Sequence, residues 1–141
     1  MTTIGNPRNL TLLGVPIDCT GKPGMCDRAP SVLRELGVAA AIPARHDAND
    51  LSVRIDDPKR DAKSGVKGAA AVVRSNAVTR DAVERILRGG GTPVMLGGCC
   101  SYVMGAVAAA RRVYGRIGLV YVDGHMDLYD GRTSPGGECA D

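Results

Sequence analysis

Apolar residues along this chain alternate between short β-rich runs and longer stretches with helical spacing. The run Leu10–Val15 predicts a first buried strand, and Pro16 ends it because proline cannot donate in a central ladder. Residues 16–30 carry Pro16, Gly21, Pro23, Gly24 and Pro30, a loop in which Asp18 is a turn or cap residue. Pro30 suits a first helical turn and Gly37 a C-terminal cap, with Val32, Leu33 and Leu36 as the apolar face, so a helix is expected over 30–37. Residues 38–65 sustain no period and read mostly as loop, with a short edge strand at Leu51–Ile55 and His46 as a solvated loop histidine. Apolar positions 69, 72, 73, 82, 83, 86 and 87 predict a helix over 67–88, with Thr79 and Asp81 as a break or restart and Gly89-Gly90-Gly91 as its stop. Pro93–Leu96 predicts a second buried strand, Gly97-Gly98 a tight turn, and the alanine-rich stretch 101–113 a further helix closed by Gly115. Ile117–Val122 is short, partly β-branched and uncharged, which predicts a last buried strand.

Strand, helix, strand, helix, strand is the order of a parallel, doubly wound α/β sheet with helices on both faces. At 141 residues one domain over 1–141 is expected. The hydrophobic fraction of 44% and charged fraction of 23% are those of a soluble globular protein. With no Phe and no Trp, the core must rely on close approach of small residues. A net charge of +3, and no basic run interleaved with aromatics, argue against nucleic acid as a partner. No stretch has the length of a membrane span, and Met1 to Arg8 lack the apolar centre of a secretory signal, so a cytoplasmic protein without membrane partners is expected. In that compartment the five cysteines at 19, 26, 99, 100 and 139 are expected as thiols, with no CxxC pair to suggest a zinc ribbon or a redox motif.

The candidate chemistry follows the last predicted strand. Asp123, His125 and Asp127 lie at i, i+2 and i+4, and alternate residues of an extended chain point the same way. Two carboxylates and an imidazole suit manganese or a similar divalent ion. Open α/β sheets bind their ligands just outside the carboxyl ends of the strands, which is where this trio is expected.

Three ordered motifs carry a family resemblance. Gly14-Val15-Pro16-Ile17-Asp18, with the later Ala29-Pro30-Ser31-Val32-Leu33-Arg34, resembles the N-terminal segment of the arginase, agmatinase and formiminoglutamase group, the ureohydrolases. Leu96-Gly97-Gly98-Cys99-Cys100-Ser101 resembles that family's Gly-Gly-Asp-His-Ser motif, and Val122-Asp123-Gly124-His125-Met126-Asp127 its Asp-Ala-His-x-Asp motif. The resemblance covers nearly the whole chain but only about the N-terminal half of a family member.

The resemblance implies a three-layer α/β/α fold whose C-terminal part is missing here. It implies a pair of manganese ions and an enzyme that hydrolyses a linear C–N bond of a guanidino or formimino small molecule by a metal-activated hydroxide. Two cations about 3.5–4 Å apart lower the pKa of a shared water enough for that chemistry. Its metal-ligand roles fall on Asp123, His125 and Asp127. The family's other histidine ligand falls at Cys100, which reads either as a ligand that changes the preferred metal or as a buried thiol, and Cys99 reads as structural. The family's later Asp-x-Asp pair has no counterpart before Asp141, so activity of this chain alone is expected to be impaired, and a non-catalytic remnant or subunit that binds one metal or a partner chain is the competing reading. The loop from Leu128 onward would border the substrate, through Ser134 and Gly136 or as an ordinary loop, with Glu138 offering an acidic group where arginases place a histidine. The family also implies a homo-oligomer.

Overall fold

The computed structural model describes residues 9–125 and 127–138. β1 (Leu10–Val15) forms where predicted and is the central strand of a three-stranded, all-parallel sheet, between β2 (Ala44–Asp50) and β3 (Thr92–Gly97). Its position explains its composition, since a strand paired on both edges and covered on both faces reads as a continuous apolar run. The register with β3 is unbroken from Leu10 opposite Thr92 to Val15 opposite Gly97.

Successive residues of β1 point to opposite faces. Leu13 is buried against Ala82 and Val83 of α3 (Ala69–Arg88) and Ala109 of α4 (Val103–Tyr114). Gly14 faces the other way, where an added Cβ would run into Asp50 and the Arg34 guanidinium of α1 (Ala29–Glu35). Helices therefore cover both faces, giving three layers. Leu12, Leu13 and Val15 are almost fully buried, and each contributes roughly 1.5–3 kcal/mol. α3 and α4 approach closely at Gly105, where a Cβ would strike the Asn76 carbonyl oxygen. The Asn76 Oδ1 accepts the Gly105 N–H at 2.7 Å, so the small residue and the polar cross-link act together.

Several expectations are corrected. The first helix stops at Glu35, and Gly37, with φ 87°, separates it from the single turn α2 (Val38–Ala41). The edge strand is β2 at 44–50, not Leu51–Ile55, and exposed His46 sits on it rather than in a loop. Its polar sequence Ala-Arg-His-Asp-Ala-Asn-Asp hides a strand held largely by backbone pairing. Arg34 reinforces it with a bidentate contact to Asp47, at 2.9 Å for each nitrogen, and an ion pair to Asp50. α3 runs without a break through Thr79 and Asp81. Ile117–Val122 is not a strand: among the described residues no strand lies alongside to pair with it, and Val120 and Val122 are 89% and 92% exposed. Cys19 and Cys99 are not thiols but a disulfide, with Cα atoms 6.1 Å apart, because they follow adjacent parallel strands. Cys26 and Cys100 are free, and Cys139 lies outside the described residues. No helix among the described residues is long and apolar enough to cross a membrane.

Candidate metal centre

The pairing of β1 with β3 continues past the strand ends. Gly98 N–H donates to the Val15 carbonyl at 3.1 Å and Cys99 N–H to the Ile17 carbonyl at 3.0 Å. Gly98 must be glycine, since a Cβ there would collide with the Ile17 carbonyl oxygen. These bonds and the Cys19–Cys99 bridge fix where Cys100 leaves the sheet, at the carboxyl end of β3 and the start of the 3₁₀ turn Cys100–Tyr102 that leads into α4.

Cys100 Sγ and carboxylate oxygens of Asp123 and Asp127 all lie within 4.8 Å of one another. Cys100 and Asp127 are half-buried and Asp123 is exposed. His125, expected to point with the two aspartates, does not join them. Its side chain is 87% exposed, with Nδ1 3.7 Å from Asp123 Oδ1. The alternation that predicted convergence requires an extended chain, and here His125 N–H turns back to donate to Asp123 Oδ1 at 3.0 Å. Asp127 then adopts a left-handed backbone, φ 47°, which carries its carboxylate back toward Cys100.

The His125 N–H is the main influence that holds the Asp123 carboxyl below its ordinary range. Tyr121 was missed by the sequence reading, although it stands two residues before Asp123 in the same run. The influence of Cys100, ahead of burial and of Asp127, pushes its phenol well above the usual range.

The remaining candidates lie elsewhere. Asp18 is buried, and it accepts from Thr20 N–H at 2.9 Å, Thr20 Oγ1 at 2.6 Å and Cys26 N–H at 3.0 Å, the turn role expected of it. Burial alone would raise its pKa, but the bonds from Thr20 and Cys26 outweigh it and hold the group low. Ser134 is buried and its Oγ accepts the Gly137 N–H at 2.8 Å, so its hydroxyl shapes its own turn. Gly136 is half-buried in the same turn. Glu138 is ion-paired with Lys67 at 3.3 Å. Arg60 clasps this loop by donating to the carbonyl oxygens of Ser134, at 3.1 Å, and Pro135.

A thiol and two carboxylates are a donor set that fits a divalent cation. Fold and site together define an α/β protein with metal-capable side chains gathered beyond the carboxyl end of its sheet. The chain belongs to the arginase family, whose sequence model matches residues 8–139. It is 30% identical over 133 residues to an arginase of Bacillus caldovelox, covering 91% of this chain and 44% of that protein. It is 29% identical to an arginase of Brevibacillus brevis, covering 92% and 45%. The solved Bacillus caldovelox arginase superposes with a TM-score of 0.80 at 26% identity, over 94% of this chain and 46% of that one. The chain thus spans under half the length of these relatives.

Proposed function

We propose that this chain is a metal-dependent hydrolase of the arginase family, acting on a linear C–N bond of a guanidino or formimino compound. The observation that carries the reading is the meeting of Cys100, Asp123 and Asp127 beyond β3 in a chain of that family. A divalent cation held there lowers the pKa of water and supplies a nucleophile near neutral pH, the chemistry for which manganese serves in the family. In this reading Asp123 and Asp127 supply hard oxygen donors and Cys100 a sulfur, while His125 would add a nitrogen only on turning inward from its exposed position beside Asp123. The substrate side falls to the loop 128–138 with Gly136. Ser134 keeps the shape of that loop, and Glu138 its tie to Lys67.

Calorimetric titration of the 141-residue chain with manganese tests the reading. Heat is expected, and Asp123→Ala should remove it. Urea or formamide released from a panel of guanidino and formimino compounds should be slight from this chain alone. It should rise when the chain is fused ahead of the C-terminal half of an arginase relative. No heat from manganese, cobalt or zinc would sink the reading. The exposed Leu119–Val122 run, which pairs with no strand among the described residues, favours a second reading, a non-catalytic unit that binds one cation or a partner chain. Metal binding with turnover still absent from the fusion would select it.

A further inference from the structure

We propose that Cys100 binds the cation through its thiolate, making this a sulfur-anchored centre for a thiophilic divalent ion such as zinc or cobalt, rather than an all-oxygen-and-nitrogen centre for manganese. The proposal rests on the metal reading above and names the donor that decides which metal is held. Three observations carry it. Cys100 Sγ lies in one group with the Asp123 and Asp127 oxygens, all within 4.8 Å of one another, close enough for sulfur and carboxylate to converge on one ion. The thiol is free, while its neighbour Cys99 is already bonded to Cys19, which leaves Cys100 available as a ligand. The backbone that presents it is held by the Gly98 and Cys99 bonds to β1 and its following loop.

Ligation exchanges the S–H bond for a sulfur–metal bond, and the proton leaves to solvent with no change of oxidation state. Zinc outbinds manganese at nearly any protein donor set, so a bare preference for zinc decides nothing. What decides is the contribution of sulfur, because thiolate favours zinc and cobalt far more than manganese.

The test is a cobalt titration of the 141-residue chain carrying Cys26→Ser and Cys139→Ser, which leaves Cys100 as the only cysteine besides the Cys19–Cys99 pair. Bound cobalt should show a near-ultraviolet sulfur-to-metal charge-transfer band, and the band should vanish in the further variant Cys100→Ser. By calorimetry the same substitution should weaken zinc and cobalt about tenfold or more while moving manganese far less. Bound cobalt without the charge-transfer band overturns the proposal and leaves the metal reading standing, as does a band that survives Cys100→Ser. No binding by any of the three metals overturns both. The spectrum of the Cys100 chain decides the matter even if Cys100→Ser fails to fold.

Discussion

Asp18 shows what a single residue contributes here. Its buried carboxylate ties the loop after β1 to Thr20 and Cys26, and removing it strands those donors. Asp18→Ala should destabilise the chain by about 1–3 kcal/mol in urea unfolding. Its folded pKa lies below the ordinary value of 3.8. Its contribution is therefore complete above the unfolded value and is lost as pH falls through the lower folded one. Urea midpoints of the native chain and Asp18→Ala should accordingly converge on acidification below about pH 4. The sequence exposed Asp18 as a turn residue but neither its burial nor the bond it accepts from Cys26 N–H, eight positions on. Residue type alone likewise marked Asp123 and Asp127 as donors. It could not show His125 turning outward, because period-two reasoning assumes extended backbone and the Asp123 side chain breaks that assumption by capturing the His125 N–H.

Elements were legible where apolar patterning and burial coincide. β1, β3, α3 and α4 form where expected, but the positions that predicted α3 match its packing only in part: Val72, Ala82 and Val83 are buried, as are Ala71, Ser75 and Thr79, while Val73 is exposed. β2 was illegible because Arg34 and backbone pairing hold it, and neither leaves a periodic trace. The opposite failure is Ile117–Val122, whose strand-like sequence has no neighbouring strand among the described residues, since strand preference is realised only against a partner. At the junction of β1 and β3, Gly98→Ala should cost about 1–3 kcal/mol, as overpacking against a backbone oxygen cannot be relieved by a rotamer change. Reducing the Cys19–Cys99 bridge, which spans a sequence separation of 80, should lower stability by roughly 2–5 kcal/mol. Denaturation with and without reductant, compared with Cys19→Ser, checks this.

Across the whole molecule, the packed body built on the three-stranded sheet contrasts with the exposed run through Val120 and Val122. The chain matches relatives more than twice its length, and solvent-facing apolar residues of this size favour association. Val120→Ser with Val122→Ser should reduce binding of a hydrophobic dye and self-association seen by light scattering, while leaving the urea midpoint unchanged. The Arg60 clasp has a different consequence. Exposed Arg116 stands just beyond α4 in irregular chain, an accessible site for trypsin, and a cut there severs the covalent link between Cys100 and the two aspartates. The distal piece nevertheless stays fastened to the body by Arg60 on the Ser134 and Pro135 carbonyls, by Lys67 N–H on the Gly137 carbonyl at 2.7 Å, and by Lys67 on Glu138. The nicked protein should therefore remain a two-fragment complex that co-elutes on a sizing column, and replacing Arg60 should weaken that association.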